Sequence, residues 1–156
     1  MNNLKYIWLV FCLCLCEVSF AQTKTNAVQW ITFEQLTDSL AVNPKKVIIF
    51  LHTEWCGYCK KMFKETFTDP EIIDRLSESY YAVEMDAEST DTIYFDGVYY
   101  THRLPKKKRG SYHELAKILL QNRRKIFPTL MILDTNFRIM EVKQNYLSIK
   151  QLKEIL

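Results

Sequence analysis

Apolar residues fall into two kinds of run along this chain, and the first kind has the length and composition of β-strands. KKVIIFLH (45–52) is continuously apolar after its two lysines and rich in β-branched residues, which is typical of a central strand covered on both faces. YYAVEMDAE (80–88) predicts a second interior strand. TLMILD (129–134) and RIMEVK (138–143) predict an antiparallel pair across a short turn.

The second kind of run has helical spacing and begins at residues that cap helices. VQWI (28–31) predicts a short strand, after which Thr32 can cap a helix over FEQLTDSLAV. Asp69-Pro70 predicts the start of another helix, because Asp caps well and Pro suits the first helical position. Further helices are predicted from the CxxC segment to about Phe67, from about Ser111 to Arg124, and over SIKQLKEIL at the end of the chain.

This order of elements predicts an α/β fold. Strands that alternate with helices, and that finish in an antiparallel pair and a terminal helix, form a central mixed β-sheet flanked by helices on both faces. Between the second strand and the Ser111 helix, IYFDGVYY places Asp96-Gly97 between two aromatic runs, which is a strong hairpin signal. We therefore expect one domain over 22–156 with a hairpin-containing insert at about 89–110.

The first 21 residues have the three parts of a cleaved secretory signal peptide. A single lysine precedes an apolar run from Tyr6 to Cys16, and the small residues Ser19 and Ala21 follow. The apolar run is shorter than the roughly 20 residues that span a bilayer, which argues against an uncleaved membrane anchor. We expect cleavage after Ala21 and a periplasmic or secreted protein with no stable membrane insertion.

Signal cleavage would leave Cys56 and Cys59 as the cysteines of the mature chain. A secreted domain stapled by disulfides carries several pairs, so this pair is not a disulfide framework. A zinc site usually takes four ligands and would have to recruit His52, His102 or His113, none of which has a metal-finger spacing. We expect no metal, and a pair that performs redox chemistry.

Charge and composition exclude few functions but make nucleic-acid binding improbable. The formal net charge is +3, and the basic run KKKR lies between Pro105 and Gly110, where it predicts a solvated loop. It lacks the repeated aromatic platform that single-strand binders use. A docking patch for a partner is the alternative interpretation of this run.

The motif WCGYCK between a central strand and a helix, and IFPTLMILD about seventy residues later, resemble the thioredoxin family. The resemblance covers nearly all of the chain from Val28. Among branches, the EMDAE strand, the long insert and FPTLMILD are most similar to secreted thioredoxin-fold proteins of Bacteroidetes-type bacteria. The CGYC pair is also similar to that of periplasmic disulfide isomerases.

The chemistry of the two cysteines follows from their spacing at a helix start. Cys56 at the first turn would have its thiolate stabilised by unpaired backbone N–H groups and by the helix dipole, and would attack a substrate disulfide. Cys59, one turn on and on the same side, would attack the Cys56 sulfur and release the reduced substrate. Gly57 and Tyr58 would let the pair close.

Three further residues are candidates for substrate binding near the pair. Trp55 is interpreted as a packing and docking surface for extended peptide, with an ordinary core tryptophan as the alternative. The resemblance implies that Pro128 is the cis-proline and that the backbone of Phe127 before it pairs with a substrate strand; an ordinary trans proline is the alternative.

The chain departs from the family pattern in two places. Phe50 occupies the position at which thioredoxins have a buried acidic residue that assists proton transfer to the second cysteine, so His52 or Glu54 would have to supply any proton route. The second departure is the insert, whose aromatic residues are expected to cover an exposed sheet edge or, alternatively, to shape a partner site. These residues are Tyr94, Phe95, Tyr99 and Tyr100.

We expect an exported thiol–disulfide oxidoreductase that uses its own dithiol, with no metal or bound organic cofactor. Its partners would be protein or peptide disulfide substrates and an unidentified redox partner, with no nucleic acid. A disulfide isomerase and a non-catalytic thioredoxin-fold binding module are the two alternatives.

Overall fold

The computed structural model describes residues 27–156, and the predicted signal peptide, 1–21, lies outside the described residues. Within 27–156, none of the helices has both the length and the apolar character needed to cross a membrane.

A five-stranded mixed sheet forms the centre of the domain. Its strands are β1 (Trp30–Ile31), β2 (Lys46–His52), β3 (Tyr80–Asp86), β6 (Thr129–Leu133) and β7 (Ile139–Lys143). The strand order is β1-β3-β2-β6-β7, in which β2 pairs in parallel with β3 and antiparallel with β6. A separate two-stranded sheet consists of β4 (Ile93–Phe95) and β5 (Val98–Tyr100).

Residues 27–156 also contain five helices, four between strands and one at the end of the chain. They are α1 (Phe33–Val42), α2 (Gly57–Lys61), α3 (Pro70–Ser79), α4 (Glu114–Leu120) and α5 (Ile149–Ile155), and α2 continues into a π-helical turn over Met62–Thr66. The predicted caps are confirmed: Thr32 forms a capping box with Gln35, and the Asp69 carboxylate accepts two backbone N–H groups at the start of α3.

Helix α4 is shorter than the predicted range of about Ser111 to Arg124. It begins only after His113, whose side chain is the N-cap, because that ring accepts the N–H of Leu115. It ends before Gln121, whose positive φ of 51° stops the helix. Histidine is not a residue from which an N-cap would be predicted.

Each face of the sheet carries its own apolar core. Residues of β2 alternate between the faces, so Ile48 and Phe50 pack with α2, α3 and α5, whereas Val47 and Ile49 pack with α1 and α4. The prediction of a mixed sheet flanked by helices on both faces is confirmed. The cysteine-bearing helix α2 lies on the Phe50 face.

The insert forms the predicted hairpin at Asp96-Gly97, where both residues have positive φ, 50° and 77°. Within the described residues the hairpin pairs only with itself and adds no strand to the central sheet, so the expectation that its aromatic residues cover a sheet edge stays a prediction. The ring of Phe95 lies 5.2 Å from Phe33 of α1 and 5.2 Å from Phe137. The hairpin therefore extends the apolar core of the α1 face.

Candidate active site

Cys56 and Cys59 lie where strand β2 passes into helix α2, and they form a disulfide. Cys56 is the N-cap of α2, and its Sγ accepts the backbone N–H of Cys59 at 3.1 Å. The exposed fractions are 4% for Cys56 and 1% for Cys59. Both sulfurs are thus largely covered, and the backbone donor that an anionic sulfur at Cys56 would need is already in place.

The core next to the disulfide is aromatic. Phe50 is fully buried in the same apolar cluster as the two cysteines, and its ring lies 5.1 Å from Phe63 and 4.9 Å from Phe67. A phenylalanine can neither give nor accept a proton here. The acidic residue that the resemblance implied for this position is therefore replaced by a side chain that only packs.

His52 and Glu54, the two residues considered for a proton route, each bind another charged side chain. The imidazole of His52 is hydrogen-bonded to the carboxylate of Glu84 on the neighbouring strand, and its ring stacks on Phe50. The carboxylate of Glu54 forms an ion pair with Lys107, 2.6 Å between Oε1 and Nζ. Neither side chain has a described contact with a cysteine sulfur.

Trp55 is half exposed and held on two sides. Its indole Nε1–H donates to Glu88 Oε2 at 2.9 Å, and the guanidinium carbon of Arg109 lies 4.2 Å above its ring. Its ring also meets that of Phe127 edge-on, with centroids 6.3 Å apart. The alternative of an ordinary core tryptophan is wrong, because 42% of the residue is exposed.

Three acidic residues attach the insert to this site. Glu88, only 3% exposed, accepts the Trp55 indole N–H on one oxygen and the backbone N–H of Gly110 on the other. Lys107 binds Glu54 and also Asp86, with Nζ 2.5 Å from Asp86 Oδ2. Burial works against the charged form of Lys107, but the hydrogen bonds that its ammonium donates to Asp86 and Glu54, and the attraction of these carboxylates, outweigh burial and raise the pKa of this amine.

The loop before β6 faces Trp55. The Phe127-Pro128 peptide bond is cis, which is the isomer that the resemblance implied. Two hydrogen bonds stabilise the loop. The Thr129 hydroxyl donates to the Ile126 carbonyl at 2.6 Å, and the Gln144 side-chain amide donates to the Arg124 carbonyl at 2.6 Å.

Gly57 and Tyr58 form the opposite rim of the site. A Cβ added at Gly57 would have no other atom within 4 Å, so this position is open and needs glycine neither for space nor for its backbone angles. Tyr58 is 64% exposed, and its ring lies 5.8 Å from that of Tyr146. These two residues leave an accessible surface above the start of α2.

Sequence reasoning missed the contributions of Lys107, Arg109 and Glu88. The KKKR run was interpreted as a solvated loop, yet two of its members contact the segment that carries Trp55. The available signal was the basic run inside an insert that departs from the family pattern. Glu88 carried no such signal, since an acidic residue at a strand end is usually exposed.

Solved structures similar to this chain share its fold. The oxidoreductase DsbH matches with a TM-score of 0.58 and 15% identity, covering 86% of this chain and 85% of that one. A thioredoxin from Thermus thermophilus matches with a TM-score of 0.58 and 14% identity, covering 83% of this chain and 84% of that one. Identities this low establish the fold and leave the activity open.

A curated relative is the thiol:disulfide interchange protein DsbD of Pectobacterium atrosepticum. It is 37% identical over 60 residues, which cover 36% of this chain and 10% of the relative. The chain thus spans about a tenth of the length of that relative. The family model of the thioredoxin-like domain matches residues 33–156. With its fold and its cysteine-bearing helix, the chain belongs to the thioredoxin-like domain family.

Proposed function

We propose that this chain is an exported thiol–disulfide oxidoreductase that exchanges disulfides with protein substrates. The observation that carries the proposal is the Cys56–Cys59 disulfide at the start of α2, beside the exposed Trp55. Its support from relatives is the thiol:disulfide interchange protein that matches part of the chain.

The reaction begins with both cysteines reduced. The Cys56 thiolate attacks one sulfur of the substrate disulfide, so that a mixed disulfide forms and the other substrate sulfur leaves as a thiolate. Cys59, as a thiolate, then attacks Cys56 Sγ, and the second substrate sulfur leaves. Two electrons have passed to the substrate, the Cys56–Cys59 disulfide remains, and an external dithiol partner must reduce it again.

The surrounding residues would bind the substrate chain. An extended peptide would lie over Trp55 and the open position at Gly57, with Tyr58 at the rim and the backbone of Phe127 pairing with it. Phe127 offers both a backbone N–H and a carbonyl for that pairing, whereas Pro128 offers only a carbonyl. The exposed surfaces of Trp55 and Tyr58 support this placement.

The exported location and the kinship with secreted Bacteroidetes-type proteins rest on the sequence. The N-terminal pattern with Ser19 and Ala21 supports cleavage after Ala21. Expression of the full chain in a bacterium with a periplasm, followed by fractionation and N-terminal sequencing, should yield a protein that begins at Gln22. An intact N-terminus in the cytoplasmic fraction would contradict export.

The exchange reaction is tested by trapping. In Cys59→Ser the mixed disulfide at Cys56 has lost its internal route of release, so covalent adducts with client proteins should accumulate on non-reducing gels. Cys56→Ser should trap almost nothing. Equal trapping by both variants would contradict the roles of nucleophile and resolver. If neither traps and the wild type does not reduce a peptide disulfide, the binding-module alternative takes the place of the enzyme.

A further inference from the structure

A cationic groove adjoins the candidate active site on the side of the insert. It has a volume of about 350 Å³, and its lining includes Lys108, Arg109, Tyr112, Lys117 and Lys125. Four parts of the chain supply these residues: the KKKR loop, the segment with Tyr112 just before α4, helix α4 itself, and the segment before the cis peptide bond. These five residues define the basic groove. It is therefore formed jointly by the insert and by the rest of the domain.

The basic groove carries four cations, and its described lining includes no acidic residue. Across residues 27–156, none of its lysines or its arginine takes part in an ion pair with a carboxylate. The nearby acids have other partners: Glu54 and Asp86 bind Lys107, and Glu88 is buried between Trp55 and Gly110. Glu114 on α4 accepts the backbone N–H of Thr101.

The basic groove is continuous with the disulfide site through shared side chains. Arg109 lines the groove and lies over Trp55, the residue next to Cys56. Tyr112 also lines it, and its ring lies 5.6 Å from that of Phe127. Lys125 precedes Phe127 by two residues. A peptide bound over Trp55 would therefore extend from the cysteines directly into the basic groove.

We propose that the basic groove binds acidic side chains that flank the target cysteine of the substrate protein. The proposal rests on the proposed function, since it names the substrate class of the same site. Unpaired cations that line a shared groove attract carboxylates, and they speed encounter with an acidic partner more than they tighten the final complex. The groove would thereby favour substrate disulfides whose cysteines are flanked by acidic residues.

The test uses three peptide disulfides of one sequence, with acidic, neutral or basic residues beside the cysteine. At low ionic strength, kcat/KM should be roughly two- to fivefold higher for the acidic than for the neutral peptide per carboxylate engaged, since exposed ion pairs are individually weak. The basic peptide should be the slowest. Added salt should bring the three values together, because it screens exposed charges.

Two matched double variants test whether the preference for the acidic peptide arises in the basic groove. Lys108→Gln combined with Lys125→Gln removes two cations from the basic groove and should abolish most of the preference while leaving turnover of the neutral peptide unchanged. Lys64→Gln combined with Lys150→Gln changes the net charge equally at exposed positions outside the groove. This control should keep the preference.

The outcomes separate the two levels of the proposal. Equal kcat/KM for all three peptides, or a preference that both double variants lose alike, would overturn the basic groove as a substrate site while the oxidoreductase function stands. Absence of turnover with every peptide, neutral included, would instead count against the oxidoreductase function itself.

Discussion

Cys56 and Cys59 are chemically identical side chains in different places. Cys56 caps α2 and receives the Cys59 N–H, whereas Cys59 lies inside the helix at 1% exposure. The aromatic core around Phe50 adds no acid or base to either sulfur. Differences in reactivity must therefore come from backbone donors and from exposure.

The first prediction is that, after reduction, Cys56 alkylates before Cys59. The N–H donor stabilises the Cys56 thiolate, and the deeper position of Cys59 restricts access of the reagent. Limited treatment with iodoacetamide, followed by peptide mass spectrometry, measures the order. Equal labelling of both cysteines at early times would show that the helix start does not distinguish them.

The second prediction concerns Glu88. In Glu88→Ala the indole N–H of Trp55 and the N–H of Gly110 lose their acceptor, so the free energy of unfolding should fall by about 2 to 4 kcal/mol. Glu88→Gln keeps one acceptor oxygen, so it should lower the free energy of unfolding by less. Urea denaturation gives both values. A Glu88→Ala variant as stable as the wild type would mean that water replaces the carboxylate without cost.

At the scale of single elements, the sequence pattern predicts the buried strands well, since β2 and β3 are defined by their own apolar residues. The mixed sheet with helices on both faces followed from element order, and its identification as a thioredoxin fold followed from the resemblance. The position of the insert could not be predicted, because it depends on contacts between distant residues: Lys107 reaches Glu54, 53 residues away, and Gly110 reaches Glu88, 22 residues away. Local pattern carries no information on such pairs.

The third prediction is a pH dependence that arises at the cap of α4. Burial lowers the pKa of His113, whose neutral ring accepts the Leu115 N–H and is hydrogen-bonded to the Asp91 carbonyl. Protonation would place a second ring N–H against the Leu115 N–H. The unfolded chain therefore takes up the proton first, so stability is full above an unfolded pKa of about 6.5 and is lost as the pH falls toward the folded value.

Urea unfolding of the wild type between about pH 7.5 and about pH 5 should show a decline of at most about 1.4 kcal/mol per pH unit from this one proton. His113→Asn keeps a capping side chain that does not titrate, and its stability should vary less over the same range. An identical pH profile for both proteins would assign the decline to other groups.

The fourth prediction compares two aromatic residues of the hairpin. Phe95 is partly buried between Phe33 and Phe137, so Phe95→Ala should lower the free energy of unfolding by about 1 to 3 kcal/mol, less than for a fully buried ring. Tyr99 is 70% exposed, and Tyr99→Ala should cost below about 1 kcal/mol. Equal losses in chemical denaturation would contradict the asymmetry of the hairpin.

At the scale of the whole molecule, one sheet separates two apolar cores. Ile72 of α3 packs in the core of the cysteine face together with Ile48, whereas Ile49 packs in the core beneath α1 and α4. Since the two clusters of buried residues have no member in common, a change in one should be felt weakly in the other.

The fifth prediction tests this separation by double substitution. Ile72→Val and Ile49→Val should each lower the free energy of unfolding by about 0.5 to 1.5 kcal/mol, and the pair should add within about 0.5 kcal/mol. Ile72→Val with Ile48→Val shares one core and is the matched comparison. A large coupling between Ile72 and Ile49 in denaturation experiments would show that the sheet transmits strain between its faces.

The attachment of the KKKR loop by carboxylates limits how this protein could be re-engineered. A designer who grafts the loop onto another thioredoxin-fold scaffold would transplant four clustered cations, which repel one another in the absence of counter-charges. The host would also need the acids that hold the loop: Glu54 and Asp86, which bind Lys107, and Glu88, which accepts the backbone N–H of Gly110. A graft that keeps the loop in place must therefore transfer the loop together with those three acidic residues.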